Sequence, residues 1–213
     1  MAPPSWPSLD SERASAGDDR VAADLGGPGW SVVPGFLDGA RVRALAEDSI
    51  ARRARGGFAP ARVGRGAERA HRPGVRGDER CWLDGASASP AEADLLGRLE
   101  SLRLALNRSL WLGLFELEAQ HTVYPPGARY ERHRDAFRDG GHRIVSAVVY
   151  LNQHWRPEDG GALRLYVDGD RAVEVPPLGG TLVAFLSDRF EHEVLPARRE
   201  RLSVAAWLRR RAP

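Results

Sequence analysis

Two kinds of hydrophobic spacing divide this chain. Between residues 38 and 112, apolar positions recur every three or four residues, which is the spacing of helices that bury one face. After residue 113, short apolar runs alternate with polar positions and are separated by Gly, Pro, Asp and Asn. That pattern predicts a mainly β fold of jelly-roll type with N-terminal supporting α-helices. The predicted strands cover 114–124, 129–135, 143–151, 162–167, 172–175, 181–186, 190–195 and 201–209.

Two supporting helices have recognisable starts. Asp38 is a suitable N-cap for a helix over 39–54. Ser89-Pro90-Ala-Glu92 is a capping box with proline at the first helical position. The apolar face predicted for the first helix comprises Val42, Leu45, Ala46 and Ile50. The buried stripe predicted for the second comprises Leu95, Leu99, Leu102, Leu106 and Leu110.

Composition suggests how the rest of the chain is organised. Residues 1–28 are rich in Pro, Ser, Gly, Asp and Ala and are predicted to be a disordered tail. Residues 29–213 then form a single domain, with helical support over 38–112 and a jelly-roll core over 113–209. Gly29 to Phe36 suggests a short strand and turn, and Arg55 to Asp78 is a Gly- and Arg-rich stretch with little periodicity.

The candidate chemistry lies in the strand-like half. His133 and Asp135 are two residues apart, so on an extended strand both project to one face. His192 and Arg201 lie on the last two predicted strands, and a hairpin would make them neighbours. Two imidazoles and one carboxylate that leave metal positions open are the ligand set of non-heme Fe(II) oxygenases. An arginine beside such a site can hold a dicarboxylate co-substrate.

The composition excludes several other classes of function. The 31 basic residues are all arginine, so no lysine is present for a Walker loop, a protein-kinase active site or a Schiff base. The formal net charge is +2 and the pI is about 9.1, and the all-arginine composition indicates genomic composition bias before a basic substrate-facing surface, with nucleic-acid binding the least favoured interpretation. The one cysteine, Cys81, cannot form an internal disulfide. No membrane-length apolar run or signal-peptide profile occurs, so the expected location is cytoplasmic, and no pattern specifies an oligomeric state.

Short motifs around these residues resemble a known family. The motifs are Val123-Tyr-Pro-Pro-Gly127, Tyr130-Glu-Arg-His133-Arg-Asp135, Val149-Tyr-Leu-Asn152, Gly160-Gly-Ala-Leu-Arg164, Phe185-Leu-Ser-Asp-Arg189, His192-Glu-Val194, Arg201 through Trp207, and upstream Val75-Arg-Gly-Asp78 with Trp82-Leu-Asp-Gly85. Together they resemble the 2-oxoglutarate- and Fe(II)-dependent prolyl 4-hydroxylases, especially the hypoxia-sensor type and its bacterial relatives. The resemblance covers about residues 29–208 and implies a double-stranded β-helix.

The resemblance implies a role for individual residues. His133, Asp135 and His192 match the iron ligands, and Arg201 matches the residue that pairs with the distal carboxylate of 2-oxoglutarate. The remaining co-substrate residues are Tyr150, Tyr124, Leu163 and Val194. The positions matching the substrate site are Tyr130, Trp207, Arg143, Arg76 and Asp78. The segment between Arg55 and Asp78 corresponds to a mobile loop that closes over substrate, although its sequence differs from that of the family.

The implied activity is hydroxylation of a prolyl residue in an exposed loop of a protein substrate, with release of succinate and CO₂. The implied cofactor is Fe(II), the co-substrates are 2-oxoglutarate and O₂, and ascorbate supports activity. Two alternatives stay open at the level of sequence. One is an oxygenase of the same fold that acts on a free amino acid, a small metabolite or an alkylated base. The other is a non-catalytic jelly-roll binding module.

Overall fold

The computed structural model describes residues 9–64, 70–135 and 142–211. Each strand predicted after residue 113 is present, with its ends shifted by a few residues at most. The helices are α1 (Leu9–Gly26), α2 (Gly39–Ala54) and α3 (Pro90–Leu110). The strands are β1 (Trp30–Val33), β2 (Ala59–Pro60), β3 (Glu79–Trp82), β4 (Glu116–Tyr124), β5 (Tyr130–His133), β6 (Arg143–Tyr150), β7 (Leu163–Asp168), β8 (Arg171–Val175), β9 (Leu182–Leu186), β10 (Glu191–Val194) and β11 (Arg201–Arg209).

The strands form two antiparallel sheets. The large sheet has the order β1-β9-β6-β11-β4-β3-β2, and the small sheet has the order β5-β10-β7-β8. Consecutive strands such as β5 and β6 therefore lie in different sheets, as jelly-roll topology requires. The mainly β fold with supporting helices that the sequence predicts is confirmed.

The large sheet is buried on both faces. One face packs against the helices, where the α3 leucines Leu95, Leu99, Leu102 and Leu106 are buried together with apolar side chains of the sheet. The other face packs against the small sheet around a second cluster that includes Phe185, Leu165 and Tyr150. Among the described residues, no helix is long and apolar enough to span a membrane.

Strand alternation on β11 assigns its side chains to these two layers. Val204, Ala206 and Leu208 point to the helical layer and are at most 1% exposed. The alternate residues of β11, which include Arg201, Ser203 and Trp207, point into the space between the sheets. Because the strand period is two residues, one register places apolar groups under the helices and polar groups in the interior of the sandwich.

The predicted helix starts are confirmed in detail. The Asp38 carboxylate accepts the N–H of Arg41 at 2.9 Å, and Ser89 and Glu92 form the reciprocal capping box. Glu92 also accepts hydrogen bonds from Arg52 of α2 at 2.6 Å and lies 2.9 Å from His121 of β4. This buried carboxylate therefore joins both helices to the sheet.

Ile50 does not belong to the buried face of α2. Its exposed fraction is 54%, whereas Val42 and Leu45 are buried. Ser49 is the buried residue of the last turns instead. An i, i+4 spacing identifies a helix face only to within one residue, and the position of α3 decides which residue is covered.

The prediction of a disordered tail over residues 1–28 is wrong for residues 9–26, which form α1. Val21 and Leu25 are at most 3% exposed within the core of the helical layer. Asp18 pairs with Arg98 of α3 at 2.6 Å, and Asp24 accepts the Ser31 hydroxyl of β1 at 2.6 Å. Contacts with α3 and β1 stabilise a segment whose own composition is typical of disorder. Residues 1–8 lie outside the described residues.

The boundary predicted between helical support and jelly-roll core is also too simple. Strands β1, β2 and β3 come from the first half of the chain and extend the large sheet at both of its edges. The stretch from Arg55 to Asp78 contributes to this extension, because β2 pairs with β3 and Val63 bridges to Ala70. Short strands inside a Gly- and Arg-rich segment give little periodic signal.

Candidate metal centre and co-substrate pocket

His133 and His192 face each other across neighbouring strands of the small sheet. They are register partners in the β5–β10 pair, so their side chains emerge on the same face. Their ring centroids lie 4.2 Å apart, and Phe185 of the large sheet packs 4.7 Å from the His192 ring. Strand pairing thus brings together two imidazoles that are far apart in the sequence.

Asp135 follows the end of β5 and completes the cluster. Its Oδ1 lies 3.7 Å from Nε2 of His133, and its Oδ2 lies 3.7 Å from Nε2 of His192. One donor atom from each side chain falls within 4.8 Å of the others, and within the described ranges no other group of His, Cys, Asp or Glu does this. The donor set of two imidazoles and one carboxylate fits Fe(II).

The large sheet fixes the orientation of the Asp135 carboxylate. Oδ2 accepts the hydroxyl of Ser146 at 2.7 Å and the indole N–H of Trp207 at 2.9 Å. Ser146 and Trp207 are register partners on β6 and β11. Such hydrogen bonds to a ligating carboxylate hold its oxygens in place before a metal binds. Trp207, predicted as a wall of the substrate site, therefore also orients a candidate ligand.

His133 and Asp135 are in the protonation states that a metal requires. Burial, followed by the neighbouring His192, lowers the pKa of His133, so its imidazole is neutral. Its Nδ1–H donates to the Glu131 carbonyl at 2.7 Å, which leaves the Nε2 lone pair toward the cluster. Burial acts to raise the pKa of Asp135, but the two imidazoles and the hydrogen bonds from Trp207 and Ser146 outweigh it and lower that pKa. Neutral imidazole and ionised carboxylate are the forms that ligate.

We expect Trp207→Phe to weaken metal binding while preserving the fold. The substitution keeps an aromatic ring in the wall but removes the donor to Asp135, and losing such a hydrogen bond typically reduces metal affinity by about 10- to 100-fold. Anaerobic titration with Fe(II) measures the change. Trp30→Phe is the matched control, because Trp30 packs in the same inter-sheet core away from the cavity. Equal iron affinity in both variants would show that the hydrogen bond has no role in ligand orientation.

A second polar centre surrounds Arg201, which lines the same cavity. Arg201 is 1% exposed. Its Nε donates to the Gly161 carbonyl at 2.9 Å and its Nη1 to the Ser203 hydroxyl at 3.4 Å. Both hydrogen-bond partners found for it among the described residues are neutral oxygens. A buried guanidinium surrounded by neutral groups is suited to an incoming carboxylate.

Gly161 allows this close approach to Arg201. Its φ is +72°, and a Cβ at this position would lie 2.8 Å from Cβ of Ala197 and 3.3 Å from Cδ of Arg201. A larger residue would therefore strain the backbone and move the side chain that the Gly161 carbonyl orients.

Two tyrosines flank Arg201. The guanidinium carbon lies 5.0 Å from the ring centroid of Tyr150 and 5.2 Å from that of Tyr124. The Tyr150 hydroxyl is buried and has no hydrogen-bond partner among the described residues. Burial raises the pKa of Tyr150 to about 12, against the lowering effect of Arg201, and burial also raises the pKa of Tyr124. Both phenols stay protonated and can donate to an anion.

The metal cluster and Arg201 open into one cavity, whose empty space is about 530 Å³ when its open mouth is included. Tyr124, Leu163 and Val194, predicted to contact the co-substrate, line it, and Leu163 and Val194 are register partners on β7 and β10. Tyr150 lies beside Arg201 and is not among the lining residues.

The residues predicted to meet the substrate divide into two groups. Tyr130, Trp207 and Arg76 line the cavity, whereas Asp78 and Arg143 do not. Asp78 is 2% exposed and accepts two hydrogen bonds from Arg76, at 2.7 and 3.0 Å. Arg143 stacks on Trp207 at 3.7 Å and pairs with Glu118 at 2.6 Å. Asp78 and Arg143 therefore contact the cavity-lining residues Arg76 and Trp207 from outside the cavity.

Tyr130 connects the Arg76–Asp78 pair to the metal cluster. The Tyr130 ring stacks on the His133 imidazole with centroids 3.5 Å apart. The guanidinium carbon of Arg76 lies 4.5 Å from the Tyr130 ring centroid. The backbone of Glu131 also donates to the Val75 carbonyl at 2.9 Å. The segment before β3 thus braces the strand that carries His133.

The hairpin predicted between the strands of His192 and Arg201 is wrong. β10 pairs with β5 and β7 in the small sheet, whereas β11 pairs with β4 and β6 in the large sheet. The polar turn between them crosses from one sheet to the other. His192 and Arg201 reach the same cavity because both side chains point into the space between the sheets.

Eight of the lining residues were not among the predicted site residues, and the polar ones are Gln120, Thr122, Ser146 and Ser203. On β4, Gln120 and Thr122 point to the same face of the sheet as Tyr124. On β11, Ser203 points to the same face as Arg201. Strand alternation from Tyr124 and Arg201 was the signal that could have identified these three residues. Gln120 and Thr122 belong to none of the motifs around the metal ligands, whereas Ser203 lies within the motif from Arg201 to Trp207.

Comparison with known proteins agrees with this geometry. A model of the 2OG-Fe(II) oxygenase superfamily matches residues 119–209. The chain is 28% identical over 201 residues to the hypoxia-inducible factor prolyl hydroxylase of Caenorhabditis elegans, covering 89% of this chain and 28% of that protein. It is 31% identical over 142 residues to Egl nine homolog 1 of Homo sapiens, covering 62% of this chain and 33% of that protein. The chain thus spans about a third or less of the length of these relatives.

Solved structures match over nearly the whole chain. A Pseudomonas putida prolyl-4-hydroxylase is 45% identical with a TM-score of 0.83, covering 92% of this chain and 100% of that one. A prolyl hydroxylase in complex with a hypoxia inducible factor peptide fragment from Trichoplax adhaerens is 25% identical with a TM-score of 0.85, covering 96% and 94%. The chain therefore belongs to the 2-oxoglutarate- and Fe(II)-dependent oxygenase superfamily and, within it, to the prolyl 4-hydroxylases.

Proposed function

We propose that this protein hydroxylates a prolyl residue in a protein substrate, using Fe(II), 2-oxoglutarate and O₂ and releasing succinate and CO₂. One observation carries the proposal: the His133, Asp135 and His192 cluster and the buried Arg201 open into the same cavity. A non-catalytic jelly-roll binding module would need neither a metal cluster nor a buried guanidinium whose hydrogen-bond partners among the described residues are neutral.

The side chains of this site have separate tasks in the proposed reaction. His133, Asp135 and His192 hold Fe(II), and Trp207 and Ser146 keep the carboxylate in its ligating orientation. Arg201 binds the distal carboxylate of 2-oxoglutarate, with Tyr150 and Tyr124 as further donors. Bound iron supplies the oxygen chemistry that couples decarboxylation of the co-substrate to hydroxylation of a C–H bond. The buried walls around Leu163 and Val194 exclude water from the co-substrate.

The relatives favour a protein substrate over a free amino acid or a base. The Trichoplax adhaerens enzyme was solved with a peptide fragment, and the Pseudomonas putida protein is a prolyl-4-hydroxylase that this chain matches over 100% of its length. We place the reaction in the cytoplasm and include ascorbate as a reductant that supports activity. We expect the substrate to present its proline in an exposed loop that enters the cavity.

The proposed function is tested by mass spectrometry of host proteins incubated with the purified enzyme. We expect the mass of one added oxygen on proline in a defined protein, together with one succinate per hydroxylated site. Omission of Fe(II) or 2-oxoglutarate should remove both products. Coupled succinate formation with free proline or an alkylated base, and no modified protein, would instead support the same-fold alternatives.

We further propose that the segment of residues 55–78, called the finger below, contacts the protein substrate. The described part of the finger is anchored at three places: β2 on β3, Val63 against Ala70, and Arg76 against Tyr130. It borders the cavity through Arg76. The arginines of this segment suit an acidic or carbonyl-rich partner, so binding of the protein substrate should weaken with rising salt.

We expect shortening of the finger to impair hydroxylation of the protein substrate selectively. Val63 and Ala70 exchange both backbone hydrogen bonds, so an Asn-Gly turn can replace residues 64–69 without disturbing the base of the finger. The rate with protein substrate should fall about tenfold, equivalent to ~1.4 kcal/mol, while 2-oxoglutarate decarboxylation without that substrate continues. The matched control is the same Asn-Gly sequence at Gly169-Asp170, the turn between β7 and β8. A shortened enzyme that hydroxylates its protein at the parental rate contradicts this role.

A further inference from the structure

The cavity floor differs on the two sides of β11. Toward β6 and β9, the inward residues next to Ala205 are Val148 and then Val183, and Val183 is 0% exposed. Toward β4 and β3, the residues in the same row are Gln120 and then Trp82. On one side the row is apolar and ends in buried Val183, and on the other side it passes through Gln120 to exposed Trp82.

Trp82 identifies the open side of the pocket. It is 44% exposed. Its ring centroid lies 6.1 Å from that of Trp207, whose indole N–H donates a hydrogen bond to Asp135. Since this row ends in buried Val183 on the β9 side and in exposed Trp82 on the β3 side, the inner face of β3 and β4 offers a large substrate a route toward the metal cluster. Gln120 lies between exposed Trp82 and Ala205, and Thr122 lies next to it in the adjoining row, opposite Ser203.

Thr122 and Gln120 have hydrogen-bonding capacity directed toward this path. Thr122 is 4% exposed, lines the cavity, and its Oγ1 is buried without a hydrogen-bond partner among the described residues. Gln120 is 2% exposed and also lines the cavity. Its Oε1 accepts from Nη1 of Arg80 at 3.4 Å, so the amide NH₂ is the end that remains to donate. A buried hydroxyl that stays unpaired is unfavourable, and a ligand carbonyl can recover that loss by accepting its hydrogen bond.

We propose that Gln120 and Thr122 are specificity-determining residues that bind main-chain carbonyl oxygens of the prolyl substrate. This inference rests on the proposed function and adds the chemical class of the substrate contact. Both donors are neutral, which matches the neutral carbonyl of a peptide bond. The carboxylate of free proline would be better matched by a cation, and the proposed function assigns the buried cation Arg201 to the co-substrate. The polar strip therefore selects a peptide over a free amino acid.

The test compares two Michaelis constants in Thr122→Val, Gln120→Met and the double variant. Both substitutions keep the approximate size of the side chain and remove its hydrogen-bond donor. The probe is a peptide with one central proline that the parental enzyme hydroxylates, chosen from a synthetic array of such peptides. We expect the KM for the peptide to rise about five- to tenfold in each single variant, the size of one neutral hydrogen bond. The KM for 2-oxoglutarate should move much less.

Ser49→Ala is the control, because the Ser49 hydroxyl is likewise buried without a partner in the described residues but lies on α2, away from the cavity. It should leave both constants at their parental values. A 2-oxoglutarate KM that rises more than the peptide KM would assign the strip to the co-substrate and overturn the inference. So would parental peptide KM values in all three variants. A parental enzyme that hydroxylates no peptide in the array would count against the proposed function instead.

Discussion

His192→Ala is expected to abolish coupled turnover and stoichiometric iron binding. His192 supplies one of three donor atoms that lie within 4.8 Å of one another, and the described residues offer no fourth candidate ligand to that cluster. Two remaining ligands hold Fe(II) far more weakly than three. His133→Ala should act in the same way, because the two imidazoles are cross-strand partners with equivalent positions. Anaerobic Fe(II) titration and succinate release measure the two losses separately.

The control for the histidine variants is His154→Ala, which removes an exposed imidazole outside the cavity and should change neither quantity. Because His192 is 5% exposed and packs against Phe185, its replacement leaves a small void. Thermal unfolding of the metal-free proteins shows whether the fold survives. A folded His192→Ala protein that still turns over at the parental rate would remove the central claim about this site. Treatment of the parental protein with a chelator should reproduce the loss, and added Fe(II) should reverse it.

The metal ligands could be predicted from sequence because their geometry is largely local. His133 and Asp135 need only an extended backbone to face the same way. The motif around His192 sits on a short strand whose alternating burial is readable from the chain. The local sequence of a strand does not determine which strand pairs with it. The predicted hairpin between β10 and β11 is therefore wrong. The six residues between β10 and β11 look like a hairpin turn, yet they cross between sheets.

Other differences arise from tertiary contacts that leave weak traces in sequence. Helix α1 has too few apolar residues to suggest a buried face, and its stability depends on docking Val21 and Leu25 into the helical layer. Asp78 was predicted to meet substrate, but its hydrogen bonds go to Arg76, which stacks on Tyr130. Strand parity alone places Gln120 and Thr122 on the inner face. The extension of the cavity beneath these two residues depends on tertiary structure. It requires β3 to pair with β4 and Trp82 to remain partly exposed at that edge.

Arg201→Ala is expected to raise the KM for 2-oxoglutarate by about 10- to 100-fold. The guanidinium is 1% exposed and its described partners are neutral oxygens of Gly161 and Ser203, so an arriving carboxylate meets a desolvated charge. A charge-assisted, two-pronged pair in such a place contributes about 2–3 kcal/mol. Arg201→Lys should restore part of the affinity, because the ammonium keeps the charge but cannot present the planar fork. Arg198→Ala, which removes an exposed arginine on the preceding turn, should leave the KM unchanged.

A cycle of enzyme and co-substrate variants identifies the group that Arg201 binds. The parental enzyme and Arg201→Ala are each titrated with 2-oxoglutarate and with 2-oxobutyrate, which lacks the distal carboxylate. If guanidinium and distal carboxylate form one pair, removing either partner costs most of the affinity and removing the second costs little more. The parental enzyme should then discriminate strongly between the two acids, whereas Arg201→Ala should discriminate weakly. Independent, additive losses would instead place the distal carboxylate away from Arg201, with Tyr124 and Tyr150 as the nearest alternative donors.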